Sequence, residues 1–183
     1  MTEFSCRCGT MAWQVDPGVP GTQVTCYCPW CQAAATHVGA SDWLDKAGGT
    51  LIRQTLPRAL RITKGETSLK AFRLSKKGVL RWYAGCCGTP MANTLGSPAL
   101  PFVGVILPPG DTQFGRCRNF AFTETAKTKV RQRGMARVAW GVLLRGAMAR
   151  ARGETASPFF EDGQPVRPVE QLDRATRQAA GAP

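Results

Sequence analysis

The chain has 183 residues, 24 Lys and Arg against 12 Asp and Glu, and a formal net charge of +12. That length suits one domain with a real core plus an appended segment. No apolar run approaches the roughly 20 residues of a membrane-spanning helix, the longest being Val138 to Leu144 between arginines, so a soluble protein is expected.

Short strands and turns open the chain. Phe4 to Cys8 and Met11 to Val15 read as a hairpin across Gly9 and Thr10, with Trp13 and Val15 on one face. Thr22 to Cys28 is the next expected strand, closed by Pro29, and a single helical turn over Gln32 to Thr36 would bring Cys31 back toward Cys26 and Cys28. Alternation resumes in Thr50 to Leu56, Leu60 to Thr63, Leu69 to Leu74 and Val79 to Tyr83, separated by Pro57, Lys64-Gly65 and Lys76-Lys77-Gly78. Phe102 to Leu107 is a further strand, stopped by Pro108-Pro109-Gly110. The fold class read from this is mainly β and antiparallel.

After Phe114 the composition changes. Ala126 to Arg152 holds eight Lys or Arg and no acidic residue. On a helix, Arg133, Arg137, Gly141 and Arg145 form one polar stripe beside a wide apolar surface. The expectation is a basic helix that packs its apolar side on the sheet and shows its arginines to solvent; the competing readings are a membrane-surface or nucleic-acid-binding helix. From Glu154 a tail with Pro158, Pro165 and Pro168 carries Phe159-Phe160, two aromatics that need somewhere to dock, such as a neighbouring subunit; with the apolar helix they make a homodimer plausible. The division expected is a zinc-binding domain over 1–115 and a helical extension and tail over 116–183.

Seven of the eight cysteines fall into three groups: Cys6 and Cys8, then Cys26, Cys28 and Cys31, then Cys86 and Cys87. Disulfides are the competing reading, but no apolar leader follows MTEFSCRCG, and cysteines adjacent or one residue apart cannot easily meet disulfide geometry with each other. A cytoplasmic, reduced protein that binds metal is expected. Zinc favours thiolate sulfur, closes four-ligand sites and leaves an open position in three-ligand ones, so two Zn2+ sites are read. Seven bound thiolates and two zinc ions would lower the charge to about +9. The balance stays basic and suits an anionic small substrate, nucleic acid or an acidic lipid surface.

CxCG, then CxCxxC about twenty residues on, then a late cysteine before GTP resembles the glutathione-dependent formaldehyde-activating enzyme family, which includes centromere protein V; the resemblance covers Phe4 to Pro108. It implies a β-tent of small antiparallel sheets stapled by zinc. It also implies an open, potentially catalytic zinc on Cys26, Cys28 and Cys31, and a structural zinc on Cys6, Cys8 and Cys87. The fourth structural ligand departs from the pattern, because Ala84 stands where a cysteine belongs and Cys86 is an extra thiol. Either Cys86 joins Cys87 through irregular backbone, which Gly85 and Gly88 would permit, or another group such as Cys117 completes the site.

The activity implied is that of a carbon-sulfur lyase on a glutathione- or other thiol-aldehyde adduct. The alternative is a zinc-stapled binding module for an anionic partner such as nucleic acid, and the sequence leaves open whether the protein is an enzyme. His37, the only histidine, is a candidate proton shuttle. Trp30 is a candidate pocket wall, and Arg53, Arg81 and Lys46 are candidates for a substrate carboxylate.

Overall fold

The computed structural model describes residues 1–183. Two short strands, β1 (Thr2–Ser5) and β2 (Ala12–Val15), pair antiparallel with Phe4 opposite Trp13. β1 stops at Ser5, short of the expected Cys8, because Cys6 to Met11 forms a tight loop. There the Cys6 N–H donates to the Met11 carbonyl (2.9 Å), the Gly9 N–H to the Cys6 carbonyl (2.9 Å), and the Met11 N–H to Cys6 Sγ (3.2 Å). β5 (Leu60–Lys64) adds to β2 and completes a three-stranded sheet.

The main sheet has eight strands. Its interior runs through β3 (Thr22–Cys26), β4 (Thr50–Thr55), β9 (Val103–Leu107), β8 (Thr89–Thr94), β7 (Leu80–Ala84) and β6 (Leu69–Arg73), all antiparallel to their neighbours. Both edges come from late in the chain: β10 (Phe120–Ala121) lies parallel to β3, and β13 (Val169–Gln171) parallel to β6. The segment after residue 115 is therefore woven into the same sheet as the cysteine-bearing strands. A two-residue pair, β11 (Phe160–Glu161) with β12 (Gln164–Pro165), makes the third sheet. The mainly β class expected from the sequence is the one observed.

Helix α1 spans Pro29–His37. It is longer than the one turn expected, since Pro29 ends the strand but also occupies a first-turn position, where its missing N–H costs nothing. α2 (Met135–Ala151) crosses β3 and β4, and α3 (Arg174–Ala179) closes the chain with Asp173 as its N-cap, accepting from the Thr176 N–H (2.7 Å). No helix is long and apolar enough to cross a membrane.

The core sits between the two larger sheets. Trp13, Met11, Trp82, Met91 and Phe159 are fully buried in it, and the Trp82 indole N–H is satisfied by Thr94 Oγ1 (2.9 Å). Phe159 lies 4.8 Å from Trp82, ring centre to ring centre. The tail's first aromatic thus docks on its own chain, where burying a ring contributes about 2–3 kcal/mol. A second apolar cluster joins Cys26 and Cys31 to Trp43, Ile52, Ile106 and Val138 of α2.

Candidate metal centres

Two groups of sulfurs converge. In the first, Cys6 and Cys8 come from the β1–β2 loop and Cys86 and Cys87 from the β7–β8 turn, with every pair of sulfurs within 4.8 Å. Cys6 to Cys8 is 3.5 Å, Cys6 to Cys86 3.7 Å, Cys8 to Cys86 3.4 Å and Cys86 to Cys87 3.9 Å. Four sulfurs about 2.3 Å from a tetrahedral zinc stand about 3.8 Å apart, so the donor set is already spaced for such an ion.

Adjacent residues point to opposite faces of a strand, yet Cys86 and Cys87 share one site. The backbone explains it. The N–H groups of Cys87 and Gly88 both donate to the Ala84 carbonyl (3.2 and 2.8 Å), which winds residues 84–88 into a helical turn, and Gly88 leaves it at φ +74°, a conformation that favours glycine. A Cβ at Gly88 would also collide with the Val38 carbonyl at the end of α1. Ala84, in the expected ligand position, is buried in the core instead. Cys117 joins neither group: its sulfur lies 3.5 Å from Thr25 Oγ1 and 3.4 Å from the Asn119 carbonyl.

Arg7, between the first two cysteines, binds this region together. Its N–H donates to Thr89 Oγ1 (3.0 Å), and its guanidinium to the carbonyls of Cys87 (2.7 Å) and Gly39 (3.1 Å) and to Asp42 (3.3 Å).

The second group is built by the β3-to-α1 junction. Cys26 ends β3, Cys28 is the N-cap of α1 and Cys31 its third residue, and the three sulfurs lie within 4.8 Å of one another, Cys26 to Cys31 at 3.7 Å. Cys26 and Cys31 are buried. No side chain caps α1, so the positive end of its dipole favours thiolate here. Hydrogen bonding with Cys26 and Cys28, reinforced by the Arg81 guanidinium, holds the Cys31 thiol well below its usual range despite burial. The bonds with Cys28 and Cys31, together with burial, push Cys26 up. Cys28 is pushed up to about 11, because its bond to Cys31 and burial outweigh the opposing bond to Cys26.

Beside Cys31 lies a narrow apolar cleft of about 30 Å³, walled by Trp43, Phe72, Trp82 and Ile106. Three buried polar side chains face it. Arg81 places Nη1 3.9 Å from Cys31 Sγ and 3.5 Å from Asn93 Oδ1, its cross-strand neighbour. Thr50, paired opposite Cys26, has a hydroxyl with no hydrogen-bond partner. Of the three cations considered for a substrate carboxylate, only Arg81 is here: Arg53 spends its guanidinium on the Val19 carbonyl (2.9 Å) and the face of Phe114, and Lys46 is exposed on a loop. Asn93 and Thr50 escaped the sequence reading, since only strand register brings them to the cysteines.

Neither of the two other candidates reaches the sulfurs. His37 sits at the far end of α1, about 9 Å along the axis from Cys31, its ring tilted against Phe72 with the ring centres 4.7 Å apart. Trp30 faces a neighbouring cleft with Leu74, Ser75 and Val79, and Arg81 forms the wall between the two clefts.

A family model described as "Family of unknown function (DUF6151)" matches residues 1–151. The chain belongs to this family. The DUF6151 match takes in both sulfur groups and all of α2, and stops where that helix ends. No curated protein matches the sequence. Among solved structures, the chain is similar to a Rhodobacter sphaeroides protein from a structural-genomics effort at 16% identity and a TM-score of 0.44, over 65% of this chain and 98% of that one.

Proposed function

We propose that this DUF6151 protein binds two zinc ions, a structural one on Cys6, Cys8, Cys86 and Cys87 and a reactive one on Cys26, Cys28 and Cys31, and that the second centre works as a carbon-sulfur lyase on a thiol-aldehyde adduct. The observation that carries this reading is the contrast between the groups. One offers four sulfurs with two of the cysteines exposed, a complete tetrahedral set; the other offers three at a buried cleft holding Arg81, Asn93 and an unpaired Thr50 hydroxyl. The spacing likeness to the formaldehyde-activating family supports the same assignment.

Cys26, Cys28 and Cys31 would hold the zinc, whose open position would keep a further sulfur as thiolate at neutral pH. Three thiolates would leave such a centre with a net charge of minus one, which favours thiol handling over water activation. The chain's own residues do the rest. Arg81 offsets the excess negative charge near Cys31 and has N–H donors left for a substrate oxygen or carboxylate. The unpartnered Thr50 hydroxyl in the cleft lining is the proposed partner of the adduct's hydroxyl, and the apolar walls limit water at the site. In the cleavage direction the carbon-sulfur bond breaks with its electron pair going to sulfur, the hydroxyl proton leaves as the carbonyl forms, and the sulfur takes up a proton.

Native mass spectrometry of the reduced protein, paired with turnover of thiol-formaldehyde adducts, tests this. Two zinc ions per chain are expected, with Cys28→Ser losing one ion and all turnover while keeping the native circular dichroism spectrum. A wild-type protein inert toward a panel of thiols would overturn the enzymatic reading.

A further inference from the structure

Helix α2 sits on the protein the wrong way round for a core helix. Its buried positions are Val138, Gly146 and Ala149, and a Cβ at Gly146 would press against the Leu100 side chain. Arg145, expected in solvent, turns inward and is half-buried; its Nη1 donates to Thr22 Oγ1 (2.9 Å) and its Nη2 to the Gln54 carbonyl (3.2 Å). Arg150 adds a bond to the Ala99 carbonyl (2.9 Å). The large apolar side chains are left outside: Trp140 is 62% exposed, Leu144 56%, Met148 52% and Leu143 51%. At 100° per residue these four span an arc of about 140°, with Ala136, Ala147 and Ala151 between them and Arg137 in the same arc at the N-terminal end of the helix, all exposed. Rolling the helix to bury that arc would break the bonds of Arg145, so the apolar face is held outward.

What covers such a face is decided by its surroundings. The segment from Ala126 to Arg152 has eight cations and no carboxylate, seven of those cations are exposed, and none is in an ion pair. A second copy meeting this face would bring two unpaired sets of cations together. Nucleic acid would satisfy the cations but offers no seat for Leu143, Leu144 and Met148. An anionic bilayer interface answers both features, with the apolar arc entering the boundary between headgroups and acyl chains and the flanking Lys and Arg meeting lipid phosphates.

We propose that the outward face of α2 docks the protein on anionic lipid bilayers, with Trp140, Leu143, Leu144 and Met148 inserted and Lys127, Lys129, Arg131, Arg133 and Arg137 on the headgroups. The inference is independent of any chemistry at the cysteines.

The full-length, metal-loaded protein is mixed with phosphatidylcholine vesicles containing about 30% phosphatidylglycerol, and with pure phosphatidylcholine vesicles. Sedimentation with the anionic vesicles is expected, together with a blue shift of tryptophan emission, and binding should collapse in about 0.5 M salt. Leu143→Ser with Leu144→Ser should weaken binding about tenfold and Arg137→Gln about fivefold, each with unchanged circular dichroism because all three side chains are exposed. Absence of vesicle binding overturns the proposal, whether or not the protein binds nucleic acid. So does a dimer in sedimentation velocity that the double leucine variant dissolves, which would assign the face to a second copy. Full vesicle binding by the double leucine variant overturns it as well, since charge alone would then account for attachment.

Discussion

Cys87 and Cys28 illustrate how differently one residue type is treated within 20 kDa. Hydrogen bonds from the Thr89 hydroxyl and the backbone N–H groups of Cys8 and Thr89 outweigh the upward push of burial and bring the Cys87 thiol down to about 6, while Cys28 stands at about 11. Bonding with Thr10 lowers exposed Cys8 as well. In metal-free protein at neutral pH, iodoacetamide should therefore modify Cys8 and Cys87 well before Cys28, since the thiolate is the nucleophile. The rate at Cys87 should fall as pH drops through 6, where its thiolate is protonated, whereas Cys28 should speed up only toward pH 11. Peptide mapping by mass spectrometry reads both, and bound metal should protect every site. The cysteine grouping itself was legible, because thiols clustered in a reduced protein have few uses other than metal. The partners of the thiols were less so: Arg81 could be named only as one cation among several, because its approach to Cys31 depends on sheet register fifty residues away.

At the scale of elements, most strands announced themselves by alternation and by the Pro and Gly between them. β8 did not. Its sequence TPMANT is buried at five of six positions, including polar Thr89, Asn93 and Thr94, so it carries no polar face to alternate with. Its pairing with β7 nevertheless creates the Cys86-Cys87 turn. α2 was found in the right place but with the opposite face inward, since an amphipathic pattern says which residues share a side and not which side the fold buries. Within the β7–β8 turn, Gly88→Ala should cost about 1–3 kcal/mol from its left-handed backbone alone, and more from collision with the Val38 carbonyl. A lowered urea midpoint, together with loss of one equivalent of bound zinc, is the expected result.

For the whole molecule, the first sulfur group joins the three-stranded sheet to the eight-stranded one, because its ligating residues come from one loop of each. A metal there would act as a cross-link between layers, and structural zinc contributes on the order of 10 kcal/mol in small domains at neutral pH. Prolonged chelation should therefore lower the thermal midpoint sharply, and zinc should restore it; a midpoint indifferent to chelator would mean that the apolar core around Trp13 and Trp82 holds the sheets together unaided. The same core takes in Phe159 and so ties to it a tail that has no long helix or strand of its own.

Arg7 gives these two levels a common consequence. It sits between two cysteines of the first group while its guanidinium grips the Gly39 carbonyl, just beyond the helix that starts at the second group. Gly88 presses on Val38 at the same joint. Whatever orders one set of sulfurs through this joint lowers the cost of ordering the other, and coupling of this kind is reciprocal. Metal titration should therefore show the two groups filling as a linked pair, and Arg7→Ala should uncouple them, the arginine being the hinge pin between them.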